Sequence, residues 1–274
     1  MSRPTLGWLA PCGVAFALAF SATRAAPAQS TGDSTPVVGP TYSLEAEKDI
    51  PLVTIPAVMD FATVLIPEGP PVHCAPLCDR SKVFFLDRGA AGNYSKAWML
   101  ESDVALLANA AGQLGILFAA EGWNGLSDLV VIAESTLWAD AAHVLTTSAV
   151  RRPRPRMYGT EAPLALRMSP SSGLSFFSGH VAFTASITTS VFTTLRKRHE
   201  STWSYLALGL GSAATALVAT GRVLGGAHFP TDVAAGALVG GSMGFLIPAV
   251  HSSRNHLVAV TSGDGGRLVF WTVW

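Results

Sequence analysis

Three short clusters of arginine, histidine and small polar residues stand out in this sequence as groups that could do chemistry. They are Arg-Arg-Pro-Arg-Pro-Arg at residues 151–156, Ser-Phe-Phe-Ser-Gly-His at residues 175–180, and the stretch from Gly221-Arg222 to His228-Phe229-Pro230-Thr231-Asp232. Guanidinium groups bind phosphate oxygens through two parallel hydrogen bonds. A histidine can act as a nucleophile or as a proton donor. Together these groups could stabilise a phosphoryl-transfer transition state, with cations for the equatorial oxygens and a nucleophile and an acid in line.

The arginine cluster directly follows a predicted helix. Four arginines at a helix C-terminus could also be solvated cations that interact favourably with the helix dipole. However, Pro153 and Pro155 make this stretch stiff and extended. Its guanidinium groups are therefore expected to be held in place.

The two histidine clusters lie where helices are predicted to begin. Ser178 and Gly179 open a helix whose backbone N–H groups would point at an anion. Pro230 fits the first position of the next helix, with His228 just outside it and Asp232 in its first turn. A carboxylate there would fix the tautomer of the imidazole and leave the other ring nitrogen free to attack. Each cluster alone could be a helix cap beside a histidine, but the three together favour one shared site.

Five predicted helices position these clusters. They cover residues 102–120, 127–150, 180–195, 203–222 and 232–250. Short polar pairs such as Ser102-Asp103 are typical of their N-caps. An apolar segment at residues 49–66 precedes them, but Pro51 and Pro56 make it a poor membrane span. The predicted fold class is all-α, a bundle of about five to six core helices.

The two ends of the chain differ from this central part. Residues 1–28 have the basic start, apolar stretch and small residues of a signal peptide, with an uncleaved membrane anchor as the alternative. Residues 29–48 are predicted to be a disordered linker, and residues 49–256 the helical domain. Residues 257–274 are predicted to form a β-hairpin.

Cys74 and Cys78 are separated by only three residues. In an oxidising compartment such a pair would form a disulfide that closes a short loop. The neighbouring His73 and Asp79 make a metal site the alternative, but no second ligand cluster accompanies them. The disulfide is the favoured interpretation.

The composition favours a membrane protein. The chain is 49% hydrophobic and 13% charged, against roughly 25% charged in soluble domains. Its formal net charge of zero gives no reason to expect nucleic-acid binding. Residues 203–221 are long and apolar enough to cross a bilayer, as are residues 232–250, with Gly236 and Gly240 on a small-residue face. The basic residues 196–198 would favour the cytoplasm, so the three clusters would face outward; a wholly periplasmic bundle is the alternative.

The three clusters resemble the signature of type 2 phosphatidic acid phosphatases, which vanadium haloperoxidases and bacterial class A acid phosphatases share. The resemblance is carried by Arg154-Pro155, Ser178-Gly179-His180, and Arg222 with five residues before His228 and three more before Asp232. It covers residues 102–250 in helix order as well as in motifs.

The resemblance implies a role for each of these residues. His228 would attack phosphorus, Asp232 would orient His228, and His180 would protonate the leaving group. The residues implied to bind the phosphoryl oxygens are Arg154, Arg222, Ser178 and Gly179. No metal and no cofactor are implied.

The family pattern is not fully kept. Thr147 stands where the family has a lysine, Phe177 replaces a proline, and Gly221 replaces a serine. The excess of arginine suggests that Arg151 or Arg152 substitutes for the missing lysine.

The implied function is hydrolysis of a lipid or isoprenoid phosphomonoester or diphosphate through a phosphohistidine intermediate. The expected location is the bacterial cell envelope, either the inner membrane with a periplasm-facing active site or the soluble periplasm. Two alternatives stay open: an impaired lipid-phosphate binding protein, and a vanadium-dependent haloperoxidase.

Overall fold

The computed structural model describes residues 41–65, 71–198 and 200–252, and these residues form an all-α bundle. Its α-helices are α1 (Ala46–Leu65), α2 (Lys96–Glu121), α3 (Leu126–Val150), α4 (Leu164–Arg167), α5 (Gly179–Lys197), α6 (Ser201–Leu224) and α7 (Pro230–Ser252). Short 3₁₀-helices lie at Arg80–Lys82, Arg88–Ala90, Gly122–Gly125, Pro155–Tyr158 and Pro170–Gly173. No strand occurs in the described ranges, so the all-α fold class is confirmed. The hairpin predicted at 257–274 and the signal peptide predicted at 1–28 lie outside those ranges.

The five predicted segments coincide with α2, α3, α5, α6 and α7, except that α2 begins six residues before the predicted start. Ser95 caps α2, since its Oγ accepts a hydrogen bond from the Trp98 N–H at 3.4 Å. The prediction that Ser102-Asp103 caps this helix is therefore wrong. Both residues lie inside α2, where a polar pair resembles a cap in sequence but contacts other helices.

Helix α1 begins at Ala46, inside the stretch 29–48 that the sequence predicts to be a linker. Tyr42, just before the helix, is buried between α3 and α7. The predicted linker thus extends too far along the sequence, because the buried ring of Tyr42 already packs against the bundle.

Helix α5 is the central element of the bundle and packs against α2, α3, α6 and α7. Its tightest contact is with α7, where Gly236, Gly240 and Gly244 face the backbone carbonyls of α5 so closely that a Cβ would clash. The threonines of α5 bond back to their own helix; the Thr188 hydroxyl, for example, donates to the Thr184 carbonyl at 2.8 Å. These threonine hydroxyls are therefore satisfied inside an apolar bundle.

The antiparallel order of the helices gives the bundle two ends. At one, which we call the site end, the N-termini of α2, α5 and α7 meet the C-termini of α3 and α6. At the other, which we call the far end, Arg198 after α5 pairs with Glu121 of α2 at 2.9 Å and with Asp128 of α3 at 3.5 Å. All three clusters singled out from the sequence lie at the site end.

Four helical stretches in the described part of the chain are long and apolar enough to cross a membrane. They are Lys96–Glu121, Leu126–Tyr158, Thr202–Leu224 and Pro230–His251. Many of their apolar side chains point away from the bundle; Leu238, for instance, is 73% exposed. An outward apolar surface of this kind suits a lipid environment.

Candidate active site

The loop between α3 and α5 brings Arg154 to the site end. Its guanidinium donates from Nε to the Ser171 carbonyl at 2.9 Å and from Nη1 to the Ala227 carbonyl at 3.1 Å. The second bond joins this loop to the one that carries His228. Arg154 is thus a partly buried cation held by backbone carbonyls rather than by a carboxylate.

His228 is buried in the short connection between α6 and α7. Its Nδ1 lies 2.6 Å from the Ser175 carbonyl oxygen, and because a carbonyl can only accept, Nδ1 carries the proton. Burial, together with the positive charges of Arg154 and Arg222, lowers the pKa of His228 well below its ordinary value. The ring is therefore neutral, with the Nε2 lone pair available for attack.

Asp232 does not orient His228 in the way the sequence predicts. Its Oδ2 accepts hydrogen bonds from the Phe229 N–H at 2.8 Å and from the Ser175 hydroxyl at 2.6 Å. The Asp232 carboxylate caps the first turn of α7 and therefore points towards the Phe229 N–H. The His228 imidazole donates its hydrogen bond to the Ser175 carbonyl instead. Ser175, a residue to which sequence reasoning gave no role, is thus hydrogen-bonded to both Asp232 and His228.

His180 and Arg222 share a partner that the sequence did not reveal. Oδ1 of Asp103 lies 3.0 Å from His180 Nε2 and 3.0 Å from Arg222 Nη1. Burial lowers the pKa of His180, the hydrogen bond with Asp103 raises it, and the charges of Arg222 and Arg154 lower it further. A carboxylate inside an apolar helix, at the same end as the other motifs, is the signal that could have identified Asp103.

Ser178 and Gly179 begin α5 as expected. The Ser178 N–H donates to the Asp232 carbonyl at 3.1 Å, so the starts of α5 and α7 are joined directly. A Cβ at Gly179 would come within 2.9 Å of the His143 ring, which lies against the backbone at this point. His143 is bonded to the Phe177 carbonyl through Nδ1 at 2.8 Å, and it is a third histidine of the site that sequence reasoning left without a function.

Arg151 and Arg152, the two arginines proposed to replace the family lysine, differ in their surroundings. Arg152 pairs with Asp87 at 2.7 Å and with Asp232, and stacks over the Phe229 ring. Arg151 ends α3 in the left-handed region, at φ 47°. Arg152 is thus occupied by carboxylates, and its assignment to phosphate is not supported by these contacts.

Arg156 differs from Arg152 in what its guanidinium contacts. The side chain is 7% exposed, and its Nε has no hydrogen-bond partner among the described residues. Thr147, at the position of the family lysine, is buried and donates its hydroxyl to the His143 and Val144 carbonyls, both at 3.0 Å. We therefore propose Arg156 as the candidate for the cation that the family lysine would supply.

Four buried polar atoms at this end have no hydrogen-bond partner among the described residues: Ser172 Oγ, Ser178 Oγ, Arg156 Nε and Arg222 Nε. Leaving a buried polar group unsatisfied costs about 1–3 kcal/mol. Serine hydroxyls and guanidinium N–H groups are donors of the kind that bind a tetrahedral oxyanion. The arrangement is that of an anion-binding cradle beside two histidines.

The Cys74–Cys78 loop also lies at the site end. The two cysteines are joined as a disulfide, and the Cys78 N–H donates to the Met157 carbonyl at 2.8 Å. The loop therefore packs on the turn that follows Arg154-Pro155. Asp79, the suggested metal ligand of the alternative interpretation, caps the 3₁₀-helix Arg80–Lys82.

Residues 128–256 match the family model of the PAP2 superfamily. This segment holds all three motifs and the helices α3, α5, α6 and α7 that bring them together. It is a PAP2 domain. The resemblance inferred from the motifs is thus confirmed, and α2 adds Asp103 to the site from outside the matched segment.

Two known proteins are similar to this chain. Glucose-6-phosphatase 3 from Mus musculus is 32% identical over 131 residues, and the match covers 43% of this chain and 38% of that protein. A transmembrane PAP2-type phosphatidylglycerolphosphate phosphatase from Bacillus subtilis, of known crystal structure, is 22% identical with a TM-score of 0.42. That match covers 75% of this chain and 96% of the other.

Proposed function

We propose that this chain is a phosphoric ester hydrolase of the PAP2 type, acting on a phosphomonoester or diphosphate in a membrane. The observation that carries the proposal is the set of buried, unpartnered donors beside His228 and His180. A phosphoryl group is the anion whose oxygens match serine and guanidinium donors. The PAP2 domain match supports the same chemistry.

In the first chemical step, Nε2 of His228 attacks phosphorus and forms a P–N bond. The P–O bond to the leaving alcohol breaks, and His180 transfers a proton to the leaving oxygen. Asp103, 3.0 Å from His180, stabilises the protonated form of that imidazole before the transfer. Arg156 and Arg222 neutralise the charge on the phosphoryl oxygens.

In the second step, water attacks phosphorus of the phosphohistidine. His180, now neutral, accepts a proton from that water, the P–N bond breaks, and inorganic phosphate leaves. The Ser175 carbonyl stays bonded to Nδ1 of His228 throughout. Apart from the substrate and water, the groups named in both steps belong to this chain.

The surroundings of the site favour a substrate with an apolar tail. A groove of about 410 Å³ runs between α5, α6 and α7 and is lined almost entirely by apolar and small residues. Two of its lining residues, Val181 and Val233, directly follow His180 and Asp232 in the chain. A lipid or isoprenoid phosphate would place its headgroup in the cradle and its tail along this groove.

The orientation we propose places the site end outside the cytoplasmic membrane of a bacterium. The basic residues 196–198 at the far end favour the cytoplasm. The site end also carries basic residues, so charge alone does not decide the direction. The Cys74–Cys78 disulfide supports the oxidising side.

The proposal is tested with full-length protein purified in detergent, by release of inorganic phosphate from phosphatidate, glucose 6-phosphate and an aryl phosphate. We expect turnover of all phosphomonoesters that fit the cradle, with the highest kcat/KM for phosphatidate. The His228→Ala variant should lose at least about a thousandfold in kcat, and His180→Ala about a hundredfold or more.

The alternatives give different results in the same assay. Binding of phosphatidate without phosphate release would overturn the enzyme and favour a lipid-phosphate binding protein. Preference for glucose 6-phosphate, the substrate class in the name of the mouse relative, would keep the enzyme and reject the lipid. Vanadate-dependent oxidation of bromide by peroxide would favour a haloperoxidase.

A further inference from the structure

A second cluster of ionisable side chains lies near the far end of the bundle. Asp49 in the first turn of α1, Glu134 of α3 and His251 in the last turn of α7 are all buried. Nε2 of His251 is 2.8 Å from Asp49 Oδ1 and 3.1 Å from Glu134 Oε2. At 1.5 Å per helical residue, His251 is about 28 Å along α7 from Asp232, so this cluster is separate from the phosphate cradle.

The orientation of the imidazole in this cluster is fixed by its own helix. Nδ1 of His251 lies 2.9 Å from the Ile247 carbonyl one turn earlier, so Nδ1 carries the proton and donates. The other nitrogen, Nε2, is thereby turned to the two carboxylates. Metal-ligating histidines are held by the same kind of bond from the nitrogen that does not bind the metal.

The carboxylates are not satisfied by the histidine. Asp49 Oδ2 and Glu134 Oε1 are buried atoms without a hydrogen-bond partner in the part of the chain that the structure describes. Even when protonated, one imidazole offers one positive charge to two carboxylates. When both carboxylates are ionised, one imidazolium balances only one of them, and buried charges are costly unless paired or bound to a metal.

We propose that Asp49, Glu134 and His251 bind a divalent transition-metal cation of the Zn²⁺ type. One ligand atom from each residue lies within 4.8 Å of the others, close enough for all three to contact one ion after small side-chain movements. Imidazole nitrogen and carboxylate oxygen are both ligands of Zn²⁺, whereas Ca²⁺ and Mg²⁺ prefer oxygen alone. With a neutral imidazole, the ion and two carboxylates sum to zero charge.

The bound ion would join three helices, α1, α3 and α7. Binding displaces any proton from Nε2 of His251 into solvent and leaves a coordination position for water. The site would thereby fix the N-terminal turn of α1 onto α3 and α7. Helix α1 contains two prolines, Pro51 and Pro56, after this turn.

The test uses full-length protein in detergent, stripped with EDTA, reloaded with Zn²⁺ or Mn²⁺ and desalted. We expect mass spectrometry of the metal to find about one Zn²⁺ per chain, with Mn²⁺ bound more weakly. Zn²⁺ in hundredfold excess over Kd should raise Tm by about 5 °C. Glu134→Gln, which keeps the side-chain size, should lose the metal and the shift in Tm.

Controls make the result specific to this cluster. Asp140→Asn, on the same helix, and His228→Ala, in the phosphate cradle, should both keep the bound Zn²⁺. If Glu134→Gln does not fold, Asp49→Asn at the end of α1 decides in its place. A folded wild-type protein that binds neither ion more than these cluster variants do would overturn the site and leave an ion-paired triad without metal.

Discussion

The electrostatics of the phosphate cradle depend on what each arginine is bonded to. Arg152 pairs with Asp87 and Asp232, and Arg154 donates to backbone carbonyls. Arg222 pairs with Asp103 through Nη1 but leaves Nε without a partner among the described residues, and Arg156 likewise leaves Nε. Two guanidiniums at the site end thus keep a donor for a phosphoryl oxygen.

This difference predicts the outcome of replacing the arginines of the 151–156 stretch. Arg156→Ala removes a buried, charged donor worth about 1.5–3 kcal/mol, so kcat/KM should fall roughly tenfold to a hundredfold. Arg152→Ala leaves Asp87 and Asp232 without their cation, so its main effect should be a lower Tm. Steady-state kinetics on phosphatidate and thermal unfolding separate the two effects.

Arg151→Ala tests the alternative within the same stretch, because the sequence suggested Arg151 as a substitute for the family lysine. If Arg156→Ala is as active as the wild type while Arg151→Ala is not, the missing family lysine is replaced by Arg151. That result would restore the assignment favoured by the sequence.

At the scale of helices, the position of α2 depends on one glycine of α6. A Cβ at Gly221 would lie 2.8 Å from the Ser102 Cβ and 2.9 Å from the Trp98 carbonyl. Real Cβ atoms do not approach so closely, which gives a physical reason for glycine where the family has serine. The close approach brings Asp103 of α2 to Arg222 and His180.

Restoring the family residue should therefore damage this protein. We expect Gly221→Ser to push α2 away from α6 and to destabilise the fold by about 1–3 kcal/mol, with a drop in Tm of several degrees. It should also lower kcat more than it changes KM, because His180 loses the position of Asp103.

Gly209→Ser on the same helix is the control, since a Cβ there meets no atom within 4 Å. Serine is also the better helix former, so this variant should be as stable as the wild type or slightly more so. Equal Tm values for the two serine variants would contradict the proposed packing constraint.

At the scale of the whole molecule, the two ends of the bundle differ in how they are built. Long loops, the disulfide and the cradle lie at the site end, whereas the far end is closed by short connections such as Gly122–Gly125. The apolar outer surface of the helices lies between these ends. A bundle of this form in a bilayer would expose each end to a different compartment.

The proposed orientation can be checked with two single-cysteine variants in bacterial cells. With Cys12, Cys74 and Cys78 replaced by serine, we expect a membrane-impermeant maleimide to label Lys82→Cys in intact cells. Lys197→Cys, at the far end, should react only after the membrane is permeabilised. Both positions are exposed in the structure. The reverse labelling pattern would place the site end in the cytoplasm.

The sequence by itself determined the helices and the ends at which the chemistry lies. Apolar segments of the right length, with Pro230 at a helix start and Ser178-Gly179 at another, are local signals. They depend on residues within a few positions of one another. For this reason four predicted helices match α3, α5, α6 and α7 to within two residues.

The partners of the reactive groups were decided by the tertiary structure alone. Asp103 meets His180 across 77 positions, and Ser175 takes the place at His228 that Asp232 was expected to fill. The Asp49–His251 contact joins residues 202 positions apart. A hydrogen bond depends on ångström-scale distances that helix packing sets, and a spacing along the chain carries no information about them.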